Sequence, residues 1–152
     1  MGPRLIQVPR QFVLRRQELK PTPGSLSLCA NQRGLTPLIA RLATHFPQDR
    51  FAQYTAAHDV VQTNFFAQQG GGPAGSNAWT EKMLRELETR QSQTNFRSYV
   101  AEGSVHTILR SHLVYTQNSG GMPFVEWLEK FLSDQPLPDN MMCKACLTPT
   151  KK

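Results

Sequence analysis

Two short runs, RFAQYTA at residues 50–56 and NFRSYVA at 95–101, read as β-strands, with helical segments before, between and after them. The order helix, strand, helix, helix, strand, helix argues an α/β fold in which parallel strands are flanked by helices. The first helix is expected to open at Thr36 and Pro37, which suit the N-cap and first helical positions. Leu38, Ile39, Leu42 and Phe46 follow at helical spacing until HFPQD ends it. A second helix is expected over about 60–68, with Val60, Val61, Phe65 and Phe66 as its apolar positions. The third opens at Ser76 or Asn77 and runs to about residue 91. Its Trp79, Met83 and Leu87 share one face, and Glu81–Arg85 and Glu86–Arg90 pair four apart on the exposed side. The last helix, about 123–133, sets Phe124, Val125, Leu128, Phe131 and Leu132 in an apolar stripe opposite Glu126, Glu129 and Lys130.

Three segments follow from this pattern. Residues 1–33 hold Pro3, Pro9, Pro21 and Pro23 without a sustained period and read as an irregular basic segment. Residues 34–134 form the α/β part, and 135–152, with three prolines, read as a loose tail. The 152 residues suffice for one domain with one core. The net charge of +6 raises nucleic acid as a partner, but its distribution argues against one. Residues 1–20 carry +4 and Lys144, Lys151 and Lys152 add +3, while 21–143 hold nine basic and ten acidic residues. No basic face interleaved with aromatics results, so nucleic acid is not expected to bind. A membrane is not expected either, since no apolar run approaches the roughly 20 residues a bilayer demands. Prolines and arginines interrupt the apolar residues of the first twenty positions, so no signal peptide forms and the chain as written reads as cytoplasmic.

Two acid–base residues stand at equivalent places, Asp59 and His106, each a few residues beyond a predicted strand. Ligands of parallel sheets gather outside the carboxyl ends of the strands, so both residues are expected to face one crevice. A carboxylate there can hold an imidazole in one tautomer and stabilise its charged form. Each residue also has an ordinary reading: Asp59 is a good N-cap for the helix after it, and His106 suits a polar surface turn. The glycine-rich run GGGPAGSN at 70–77 lacks the Gly-Lys-Ser/Thr ending of a phosphate loop and reads as a flexible connection.

The segments FPQDRFAQYTAAHDVVQTNFF and NFRSYVAEGSVHTIL, joined by WTEKMLRELE and followed by FVEWLEKFL, resemble the C-terminal part of the pectin acetylesterase family of α/β-hydrolases. The likeness is to its bacterial members and, more distantly, to the Notum-type carboxylesterases, and it covers roughly residues 35–135. It implies that Asp59, two residues before Val61-Gln62, is the acid of a catalytic triad, and that His106 in the HTI turn is its base. It further implies an esterase that removes acyl groups from a hydroxyl, on an acylated carbohydrate or another ester; no cofactor, metal or specific protein partner is expected. That family's nucleophilic serine lies upstream in a glycine-flanked elbow, and no Gly-x-Ser-x-Gly occurs here. Ser25 and Ser27 lie too close to Asp59, and Ser119 follows the histidine. The expectation is therefore a truncated C-terminal portion, inactive alone, of a parent enzyme open to secretion. The alternative is a non-catalytic binding protein or remnant on the same fold.

Cys143 and Cys146 in MCKACL supply half a zinc site, and Cys29 with the histidines offers no second half at standard spacing. The reading for this pair is a tail disulfide, provided the parent is secreted. His45, His58 and His112 are expected to be structural.

Overall fold

A computed structural model of the chain describes residues 35–73, 77–144 and 146. The chain divides into two units, Met1–Arg33 and Gly34–Lys152, and all described residues belong to the second. Helix α1 (Leu35–His45) leads into strand β1 (Phe51–Ala56), followed by α2 (Val60–Gln68), α3 (Ala78–Gln91) and strand β2 (Phe96–Ala101). Two short 3₁₀ turns, Ile108–Arg110 and His112–Tyr115, precede a hairpin of β3 (Asn118–Ser119) and β4 (Met122–Pro123). Helix α4 (Phe124–Leu132) and strand β5 (Met141–Met142) complete the order. None of the helices among the described residues is long and apolar enough to cross a membrane.

The main sheet has the order β1-β2-β5 and is parallel throughout, so the expected α/β arrangement holds at this level. β1 and β2 pair from Phe51↔Phe96 to Ala56↔Ala101. Alternation along β2 divides the core, because successive strand side chains point to opposite faces. Phe96 and Val100 pack with Met83, Leu84 and Leu87 of α3, while Tyr99 and Ala101 pack with Phe124, Trp127 and Phe131 of α4. Tyr99 meets Phe124 and Trp127 edge to face, with ring centroids 5.1 and 5.5 Å away. Such pairs add about 0.5–1.5 kcal/mol each beyond their buried area.

Several expectations need correction. α1 begins at Leu35, so Thr36 lies inside it and not at its cap; the side chains of Leu35 and Thr36 are outside the described residues, as is the alternative opening residue of α3, Ser76. Asn77 is the N-cap of α3 but makes no capping bond with its side chain. The buried stripe of α4 is Phe124, Trp127 and Phe131, and Leu132 is exposed. The expected stripe holds at Phe124, Leu128 and Phe131 but missed Trp127, whose indole N–H finds the carbonyl of Asp139 at 2.8 Å.

The largest correction concerns the tail. Residues 133–142 are anchored to the sheet end by polar side chains that take up their backbone groups. Arg50 donates to the carbonyls of Phe131, Ser133 and Gln135, and Arg97 to that of Pro138. Asn140 accepts from the backbone N–H of Ser98 at 2.8 Å, which delivers Met141 and Met142 into register beside Tyr99 and Val100. Cys143 and Cys146 then form a disulfide, and both are buried against the α3 face of the core. The tail thus supplies the third strand and part of the core. The stretch QNSGG likewise forms a hairpin turn, with Gly120 and Gly121 at φ of 60° and 90°, a region that two-residue hairpin loops need and non-glycine residues avoid.

Candidate active site

Asp59 and His106 both sit at the carboxyl end of the parallel sheet, because the loops after β1 and β2 are laced together. The parallel pairing continues past the strands: Ala57 N–H donates to the Ala101 carbonyl at 2.8 Å, and His58 N–H to that of Gly103 at 3.0 Å. Val60 N–H reaches the Ser104 carbonyl at 3.4 Å. Gly103 takes φ of 97°, which lets the second loop turn back toward the first.

Within that frame Asp59 does two things at once. Its Oδ1 accepts from the backbone N–H groups of Val61 and Gln62, each at 3.0 Å, and so caps α2. Its Oδ2 lies 2.9 Å from Nδ1 of His106. The Asp59 side chain is 5% exposed and that of His106 43%. The cap and the histidine contact therefore coexist in one carboxylate. An ionised carboxylate only accepts hydrogen bonds, so Nδ1 of a neutral His106 is the donor and the lone pair resides on Nε2. Among the described residues Nε2 makes no hydrogen bond.

His106 and Asp59 line a cavity of about 420 Å³ between α2 and α3, beside the edge of β1 that no strand among the described residues pairs with. Trp79, Met83, Phe65 and Phe66 form its apolar part. Beneath it Tyr54 stacks on Tyr99, and its hydroxyl is buried without a partner among the described residues. Burial, reinforced by the Asp59 charge, pushes the Tyr54 phenol up to about 12. Arg90, expected on an exposed face, is 3% exposed; it pairs with Glu86 at 3.3 Å and donates to the Gln53 side-chain oxygen. Its burial pulls the guanidinium below its ordinary value, with Glu86 opposing. Lys82, and not Arg90 alone, is a partner of Glu86.

The other candidates lie elsewhere. Ser119 is buried and donates to the Val100 carbonyl at 2.6 Å, so its hydroxyl belongs to the sheet. His45 ends α1 with its ring edge-on to Phe46, His112 opens a 3₁₀ turn, and neither bonds to the Asp59–His106 pair. His58 contributes its backbone N–H to the loop lacing. Ser25, Ser27 and Cys29 are outside the described residues. Cavity-lining Gln53, Tyr54 and Trp79 carried no sequence signal of a site, since each fits a strand or helix pattern equally well. Comparisons of the chain with protein-family models, with curated proteins and with solved structures gave no match.

Proposed function

We propose that the chain carries the acid and the base of a serine ester hydrolase resembling the pectin acetylesterase family. The reaction is removal of an acyl group from a hydroxyl, with an acylated carbohydrate or another ester as substrate. One observation supports this above the others: Asp59, buried and fixed by the start of α2, holds Nδ1 of the half-exposed His106 at 2.9 Å beside a cavity. In this role Nε2 takes the proton from a serine Oγ as that oxygen attacks the ester carbonyl, then returns it to the departing alcohol. Asp59 stays ionised and stabilises the imidazolium formed in between. General-base assistance of this kind contributes about 10²–10⁴-fold to rate.

No Gly-x-Ser-x-Gly occurs in the sequence, so the serine is supplied by another chain and this one is inert alone. A second reading, a non-catalytic protein on a hydrolase-derived fold, is favoured by one fact: no hydroxyl of the described residues bonds to Nε2. The two are separated by co-purifying this chain with the nucleophile-bearing N-terminal half of a pectin acetylesterase-family enzyme. The complex is expected to hydrolyse 4-nitrophenyl acetate and to lose about 10³-fold or more with His106→Ala. A complex without turnover, or one indifferent to His106→Ala, decides for the non-catalytic reading.

A further inference from the structure

We propose that the cavity beside His106 is an acyl-group site built for a neutral phenolic ester, of the hydroxybenzoyl or hydroxycinnamoyl class. The orientation of the ester toward His106 rests on the esterase reading; the binding itself does not.

Size is the first argument. A cavity of about 420 Å³ lies within the range of small-molecule sites and exceeds what an acetyl group needs. An acetyl group would leave most of it filled with water. A space of this size admits a ring-bearing acyl group such as hydroxycinnamoyl.

The walls give the second argument. Trp79, Phe65 and Phe66 present three aromatic side chains, and Met83 adds a thioether beside them. Phe65 is 54% exposed although it lines the cavity, so a ring laid against it removes apolar surface from water. Flat rings pack on such walls with more than their area alone provides. The Phe66 ring lies against Gly71, with no space between them for a Cβ atom.

Charge and polarity complete the class. Lys82 and Arg90 share the Glu86 carboxylate and Asp59 is paired with His106, so the two cations and two carboxylates of the lining balance and call for no net charge on the ligand. At the rim Gln62 and Gln69 carry side-chain amides that make no hydrogen bonds among the described residues. These suit hydroxyl or methoxyl substituents on a ring. Neutral, aromatic and hydroxylated is the ligand that meets all three conditions.

The test is calorimetric titration of the full chain with methyl 4-hydroxycinnamate, and with methyl acetate and 4-hydroxycinnamate anion for comparison. Saturable binding of the aryl ester is expected, with the other two at least tenfold weaker. Trp79→Ala weakens it about tenfold by removing a wall. Gln62→Leu, on a helix with no buried residue and so without risk to the fold, weakens it about three- to tenfold. No saturable heat with the aryl ester, tighter binding of the anion, or affinity unchanged in both variants overturns the proposal. Absent binding beside intact His106-dependent turnover of 4-nitrophenyl acetate in the co-purified complex removes this site and leaves the esterase reading. Binding without such turnover does the reverse.

Discussion

Oδ2 of Asp59 lies 2.9 Å from Nδ1 of His106 while Oδ1 of the same carboxylate takes two backbone N–H groups of α2 at 3.0 Å. The direction of the imidazole is thereby tied to the first turn of a helix. A carboxylate that served only the histidine would be free to rotate; this one is not, since rotation would uncap α2.

The two duties predict different costs for two substitutions. Asp59→Asn keeps an oxygen for the cap and should change stability by less than about 1 kcal/mol. Asp59→Ala removes the cap and leaves its donors unsatisfied, at about 1–2 kcal/mol. Urea unfolding of the two variants checks this. Equal losses would mean that the charge, and not the cap, dominates.

Tyr54 and Tyr99 predict how the fold fails in alkali. Burial raises both phenols to about 12, Asp59 adding to the shift at Tyr54, whereas the hydrogen bond at Ser119 partly opposes it at Tyr99. Their folded values exceed the unfolded value of about 10, so the folded state holds protons that the unfolded state has released. Their contribution to stability is complete below pH 10 and is lost as pH rises through about 12. Absorbance of tyrosinate in a Tyr115→Phe variant should rise only as the protein unfolds. Ionisation of both phenols near pH 10 in a folded protein would contradict their burial.

The Cys143–Cys146 bridge predicts a modest loss on reduction. It closes a loop of four residues, for which chain-entropy reasoning gives about 2 kcal/mol. Because both cysteines are buried, a reductant reaches them only when the β5 edge opens. Protein refolded with free thiols should be less stable by that amount, and hydrogen exchange should quicken in β5 ahead of β1. Unchanged exchange at Met141 and Met142 would show that Asn140 and Arg97 suffice to hold the strand.

Gly71→Ala separates the cavity from the fold. The new Cβ would overlap the Phe66 ring, which is half-buried and has the cavity beside it to move into. Stability should change by less than about 1 kcal/mol, near the low end of overpacking costs. Affinity for methyl 4-hydroxycinnamate should fall several-fold. A large stability loss with binding intact would place Phe66 in the core and not in the site.

The elements around the pair were largely legible in the sequence. β1 and β2 alternate, α2 and α3 carry helical patterns, and Asp59 and His106 follow equivalent strands. Long-range polar support was not legible, because nothing local marks it. Arg50 and Arg97 carry no local mark of a structural role, yet their hydrogen bonds to carbonyls of residues 131–138 turn a proline-rich tail into an ordered edge. Asn95 behaves similarly: its side-chain nitrogen lies within 3.0 Å of the carbonyls of Ala43, Phe46 and Asp49, pinning the turn before β1. Arg90 looked solvent-facing from its spacing to Glu86, and burial at the cavity wall became visible only once Gln53 stood opposite.

The most direct test of the pair is the tautomer of His106. Nitrogen-15 NMR of the imidazole, recorded at a pH where the ring is neutral, should show the proton on Nδ1 and an unprotonated Nε2, and Asp59→Asn should reverse that preference. A neutral ring protonated on Nε2, or one indifferent to Asp59→Asn, would contradict the assignment of Asp59 and His106 as acid and base.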